Sequence, residues 1–210
     1  MRSADAVTVL RVLLIVAAAY LVVLKYSPVL ITLIIAVAMS MDAIDGYMAI
    51  REASRGTVTL PMYLSSLIGN KNSKGIVKKF KSKLSKSSKF GARIDVAGDR
   101  AVEYILWATY TYLNVLPLFV IIIVIIRHSF VDAVMAARGT SSKMKTKFAA
   151  VVYSSNLWRG GINVVKFASF SYLAFAYVLG YPIWIGYALV AVLVAYILLR
   201  GAAEIYEAYS

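Results

Sequence analysis

The sequence predicts an all-α integral membrane protein with six transmembrane helices around a polar cavity open to the cytoplasmic side. Three observations predict it. Of 210 residues, 61% are hydrophobic and only 16% charged, whereas soluble domains are roughly half apolar and a quarter charged. Six stretches are long and apolar enough to cross a bilayer, which takes about 20 helical residues. The basic residues gather on one side of those stretches, the bias that sets orientation in a membrane.

The first stretch, near 7–24, follows Arg2 and includes Arg11, and so starts like a secretory leader. More apolar segments follow it and no small-residue cleavage site opens a polar chain, so it reads as the first spanning helix. The second lies near 29–50, the third near 94–113, the fourth near 115–137, the fifth near 147–179 and the sixth near 182–203. The fourth and fifth are long enough to extend into water. The breaks at Lys25–Pro28, at Asn114 with Pro117 and at Gly180–Pro182 suit helix ends. Those breaks hold one basic residue, Lys25. Arg2, Arg51, Arg55, the lysines of 71–89, Arg138, Lys143, Lys145, Lys147 and Arg200 fall on the other side. That side, with both termini, is expected to be cytoplasmic at the cell membrane. The length suits one domain, 1–210.

The net charge is +13. In a soluble chain this would suggest nucleic acid, but the apolar runs exclude that partner and leave an anionic membrane surface or an anionic substrate. The absence of cysteine excludes a zinc–thiolate site.

Residues 52–90 interrupt the plan. After Glu52 they contain no acid, and Lys71, Lys74, Lys78, Lys79, Lys81, Lys83, Lys86 and Lys89 follow. Ile76, Val77, Phe80 and Leu84 would share one face of a short helix, with lysines on the other. Two readings stand: a helix lying on an anionic bilayer, at roughly 1 kcal/mol per basic residue near the surface, or a solvated loop.

Four of the ten acids, Asp42, Asp45, Asp95 and Asp99, sit in or beside apolar segments, where a carboxylate is costly and marks function. Asp42 and Asp45 are three apart and Asp95 and Asp99 four apart, so each pair shares a helix face. The second and third helices are antiparallel and both pairs lie at the same end, so the four carboxylates can converge. Oxygen-only ligands suit a hard divalent ion, and two such ions could clamp a pyrophosphate. Small residues around them, Ala43, Gly46, Ala49, Gly91, Ala92, Ala97 and Gly98, admit close approach of a ligand or helix. The plainer reading is helix-end ion pairing with Arg51, Arg93 or Arg100.

Asp42-Ala-Ile-Asp45-Gly46-Tyr-Met-Ala49 and Gly91-Ala-Arg-Ile-Asp95-Val-Ala-Gly-Asp99 resemble the signature of the CDP-alcohol phosphotransferases, Asp-x2-Asp-Gly-x2-Ala-Arg, a short spacer, then Gly-x3-Asp-x3-Asp. Asp5-Ala-Val-Thr8-Val-Leu-Arg11 resembles the family's Asn-x-x-Thr-x-x-Arg opening of helix one. Two departures stand out. Ile50 replaces the family arginine and Arg51 comes one residue later, about 100° around a helix. The spacer is also far longer, which makes 52–90 a basic insertion: a lid, a membrane anchor or a tolerated surface excursion.

The resemblance implies Mg²⁺ or Mn²⁺, two ions held by Asp42, Asp45, Asp95 and Asp99, with Asp99 also the catalytic base. It implies a CDP-lipid, CDP-diacylglycerol or CDP-archaeol, bound by Thr8, Asp42, Gly46, Ala49, Arg51 and Gly91, with Gly46 and Ala49 lining the cytidine site, and CMP as leaving group. It also implies a homodimer among membrane lipids. For the acceptor, Arg127, Lys143, Lys145 and Arg159, with His128, Arg138 and Lys166 nearby, form a cationic set suited to a phosphorylated alcohol. Lys143-x-Lys145-Thr146 resembles a stretch of phosphatidylglycerophosphate synthases and so points to glycerol phosphate, while Asp99-Arg100-Ala-Val-Glu103 and Arg127-His-Ser-Phe-Val-Asp132 resemble archaeal-type members of that group. Anchoring by the loop cations and interior packing of His128 are the plainer alternatives, and Glu103 reads as an ion-pair partner for Arg127 or Arg159. Inositol phosphate or serine as acceptor, and a divalent-cation transporter, are the rival functions.

Overall fold

A computed structural model describes residues 3–68, 70–87, 91–138, 146 and 156–209. All regular structure among them is helical: α1 (Ser3–Val23), α2 (Pro28–Ala53), α3 (Leu60–Ile68), α4 (Lys71–Ser87), α5 (Gly91–Tyr112), α6 (Leu118–Arg138), α7 (Asn156–Leu179) and α8 (Ile183–Tyr209).

Among the described residues five segments are long and apolar enough to cross a membrane: Asp5–Val23, Pro28–Ala53, Leu118–Met135, Gly160–Leu179 and Ile183–Tyr209. They correspond to five of the six expected spans. The remaining one, expected at 94–113, is α5. Its 22 residues reach about 33 Å at 1.5 Å per residue, so length is sufficient. Composition is not, because its first turns carry Arg93, Asp95, Asp99, Arg100 and Glu103. Leu13, Leu33, Val37, Phe119, Ile126 and Trp184 are exposed. Outward apolar side chains of this density suit lipid and not water.

The expected breaks are helix ends closed by left-handed residues. Lys25 has φ 52° and Asn114 φ 56°. Around each, two backbone bonds reach back in a Schellman pattern, Tyr26 N–H to Leu21 O and Lys25 N–H to Val22 O, then Val115 N–H to Tyr110 O and Asn114 N–H to Thr111 O, satisfying terminal carbonyls. Gly180, at φ 73°, ends α7 with Pro182 beyond it. Arg55 closes α2 in the same way, with φ 52°.

The chain forms two compact units, Met1–Ala17 with Ala36–Glu103, and Ala18–Ile35 with Tyr104–Ser210. In the first, α3 and α4 form a hairpin after α2. Asn70 caps α4, its Oδ1 accepting the Asn72 N–H at 3.1 Å, and the Ser65 and Ser73 hydroxyls join the two helices at 2.8 Å. Ile50 of α2, Val58, Tyr63 of α3 and Val77 of α4 form a buried cluster, with Tyr47, Met62 and Phe80 against it. The helical reading of the basic stretch therefore holds over 71–87, but its apolar face is used differently. Val77 and Phe80 pack on protein, Ile76 is exposed, and the Leu84 side chain lies outside the described residues. Lys74 and Lys78 are exposed.

In the second unit α8 packs against both α6 and α7. A carbon added to Gly186 would lie 2.8 Å from Leu173, so this glycine lets α7 and α8 close. Trp107, Leu173, Leu193 and Ile197 are fully buried. The Tyr110 hydroxyl donates to the Phe170 carbonyl at 2.7 Å, and Trp107 meets the Phe170 ring edge-on with centroids 4.9 Å apart.

Val77→Asp would place a charge in the hairpin cluster at a cost of about 3 kcal/mol. The hairpin should then open locally, and limited trypsin digestion should cut within 71–87 several times faster than in the parent. An unchanged cleavage rate would mean that the cluster does not hold α4.

Candidate active site

α2 is helical without a break through Asp42, Asp45, Gly46 and Ala49. Their spacing of three, four and seven residues puts them along one face. The side chains of Asp42 and Asp45 lie outside the described residues. α5 begins at Gly91 and carries Asp95 and Asp99 one turn apart. Asp95 is exposed, and the Asp99 side chain is 45% accessible.

Asp99 has a partner that sequence reading did not assign to the site. Arg11 Nη2 donates to Asp99 Oδ1 at 2.6 Å, and the Arg11 side chain is 3% accessible. The approach depends on Gly98: a carbon added there would overlap the Thr8 methyl and lie 3.4 Å from the Arg11 guanidinium. Thr8 is itself buried. In the sequence Thr8 and Arg11 are three apart, hence on one face of α1, and that spacing was the available signal. Arg100 and Glu103 lie 3.7 Å apart one turn on.

The α3–α4 hairpin covers the face of α2 that carries Gly46. A carbon added to Gly46 would lie 2.6 Å from the Tyr63 hydroxyl oxygen, and the Tyr47 and Tyr63 rings are 5.8 Å apart. Ile50 is 4% exposed within the hairpin cluster. Arg51 points elsewhere: it is exposed and, with Met48, Glu52, Arg55 and Gly56, lines an open depression of about 370 Å³.

The expected acceptor cations are not assembled among the described residues. Lys143 and Lys145 lie outside them, as does the Arg159 side chain. Arg127 is engaged internally. Its Nε donates to the Ile197 carbonyl at 2.9 Å and its Nη2 to Glu204 Oε2 at 3.1 Å, while Arg200 meets the other Glu204 oxygen at 3.2 Å. Gly201 leaves the room Arg127 needs, since a carbon there would lie 2.6 Å from its Nε. Glu204 is a partner the sequence did not disclose. Glu207, fully buried, accepts from the backbone N–H and the hydroxyl of Thr146. His128 is buried beside Tyr104, with ring centroids 5.7 Å apart.

Among the described residues no three His, Asp or Glu side chains gather as a metal site, and Asp42 and Asp45 are not in that set. The donor chemistry that is visible does fit a hard divalent ion. The accessible carboxylates of Asp95 and Asp99 sit one turn apart, with room for the water such ions retain.

Residues 1–58 match the family model described as CDP-alcohol phosphatidyltransferase. The match takes in Thr8, Arg11, Asp42, Asp45, Gly46 and Ala49, and it ends before α3. No curated protein and no solved structure matches the chain.

Removing Glu204 would leave Arg127 and Arg200 without their shared carboxylate. Breaking a buried pair costs about 3–5 kcal/mol, so Glu204→Leu should lower the thermal unfolding midpoint in detergent markedly. Adding Arg127→Met to it should restore part of the loss. Strictly additive effects of the two substitutions would show that the pair is not coupled.

Proposed function

We propose that the chain is a CDP-alcohol phosphotransferase, moving a phosphatidyl-type or archaetidyl-type group from a CDP-lipid to a small phosphorylated alcohol, glycerol phosphate, with release of CMP. The observation that carries this reading is the α2 carboxylate pair inside the family match, joined by a second pair with the family's spacing in the first turns of α5.

In this reading α5 also spans the membrane, third in chain order, and the six helices surround a polar cavity. The charge bias puts the cavity and both termini on the cytoplasmic face of the cell membrane. Asp42, Asp45, Asp95 and Asp99 would hold two divalent ions, Mg²⁺ or Mn²⁺. When bound, these supply neutralisation of the pyrophosphate and of the charge developing on the departing CMP.

The chain's own groups do the rest. Gly46 and Ala49 border the cytidine end of the CDP-lipid, with Gly91 at the start of α5. Asp99 takes the proton of the acceptor hydroxyl. That oxygen bonds to the lipid-side phosphorus, and the bond from this phosphorus to the oxygen of CMP breaks. Arg11 holds Asp99 by Oδ1 and so fixes the direction of the carboxyl group. Arg127, Lys143, Lys145 and Arg159 serve the acceptor phosphate. The enzyme works as a homodimer among membrane lipids.

The test is CMP release by purified protein in detergent, with CDP-diacylglycerol or CDP-archaeol, Mg²⁺ or Mn²⁺, and a panel of acceptors. Metal-dependent release with glycerol phosphate alone is the expected result. Release only with inositol phosphate or serine would replace the acceptor, and metal flux without CMP release would replace the function by cation transport. Asp99→Asn should lower turnover at least about 10³-fold, since general-base catalysis alone contributes 10²–10⁴, while the protein stays folded and monodisperse.

A further inference from the structure

The inserted hairpin reaches the face of α2 that carries Gly46. Tyr63 stands over that glycine so closely that an added methyl carbon would lie 2.6 Å from its hydroxyl oxygen and 3.6 Å from the ring carbon bearing it. No planar ring, about 3.4 Å thick, fits between the two. Tyr63 is also anchored. It is 9% exposed and packs in one cluster with Ile50, Val58 and Val77, so its position is set by the hairpin as a body. The hairpin in turn is tied to α2 through Ile50, one turn beyond Gly46.

We propose that Tyr63 governs entry to the CDP-lipid site, with the α3–α4 hairpin as its support. This rests on the reading above that the nucleotide end of the CDP-lipid lies against Gly46. In the structure the space beside Gly46 belongs to the Tyr63 hydroxyl, and a nucleoside diphosphate group enters only when that side chain withdraws. The two departures from the family pattern then become one feature. An arginine at position 50 could not form the apolar seat for the hairpin, and isoleucine does. The cost of moving Tyr63 is subtracted from the binding of the nucleotide, as for any site whose competent state is a minor one.

CDP itself is the probe, titrated calorimetrically with Mg²⁺ into the full-length protein and into Tyr63→Phe and Tyr63→Ala. Tyr63→Phe keeps the ring in the hairpin cluster and removes only the oxygen over Gly46, so it guards against a hairpin that unfolds in the alanine variant. The expected result is tighter CDP binding, about twofold to threefold for Tyr63→Phe and fivefold or more for Tyr63→Ala. KM for the CDP-lipid should fall in parallel, with kcat within about twofold. Binding that is unchanged or weaker in Tyr63→Phe would overturn the proposal, and weaker binding would make Tyr63 a contact for the nucleotide. CDP binding to the variants but not to the parent would support it most strongly. Absence of CDP binding in all three proteins would overturn the CDP-lipid reading and the gate with it, which distinguishes that failure from failure of the gate alone.

Discussion

A carboxylate placed in an apolar helix needs a positive partner, and the first unit of this protein is built around supplying one. Arg11 and Asp99 are 88 residues apart in sequence and 2.6 Å apart in space. Arg11 is buried and Asp99 half accessible, so the pair has an inner cation and an outer anion. The arrangement keeps the costly buried charge neutralised while leaving the carboxyl group reachable. It requires α1 and α5 to touch closely, and Gly98 is the residue that allows this, because any side chain there would collide with Thr8. Thr8, Arg11, Gly98 and Asp99 are thus one packing unit. The same logic recurs in the second unit, where Glu204 sits between Arg127 and Arg200 and Gly201 makes the room.

The insertion obeys a different constraint. A lysine-rich helix with few apolar residues cannot hold itself in place, since a short isolated helix is marginal in water. α4 solves this by giving Val77 and Phe80 to a cluster seeded by Ile50. Lys74 and Lys78, on the other side of the helix, are exposed. The sequence left two readings of this stretch, a helix on a bilayer or a solvated loop. It is a helix, with Val77 and Phe80 packed on protein, and the same cluster brings Tyr63 over Gly46.

What could be read from the sequence is what local rules encode. Helix ends at Lys25, Asn114 and Gly180 followed from residues that tolerate left-handed backbone or that cannot continue a helix. Five spans followed from apolar run length. The face shared by Asp42, Asp45, Gly46 and Ala49 followed from helical period. What could not be read depends on contacts between distant segments. Arg11 looked like a flanking charge because its partner is 88 residues away. Glu204, the partner of Arg127, lies 77 residues on and has no spacing that announces it. Ile50 looked like a plain departure from the signature because the hairpin whose apolar cluster it joins has no signature of its own.

α5 shows why its hydropathy and its place in the fold disagree. Its first half carries Asp95, Asp99, Arg100 and Glu103, and belongs to the first unit. Its second half carries Leu106, Trp107 and Tyr110, all buried, and belongs to the other. The Tyr110 hydroxyl is fixed on the Phe170 carbonyl, and Trp107 is fixed by the Phe170 ring. Averaged over its 22 residues, the charges of the first half mask the apolar second half, so mean hydropathy understates a helix whose Leu106, Trp107 and Tyr110 are as buried as any core residue.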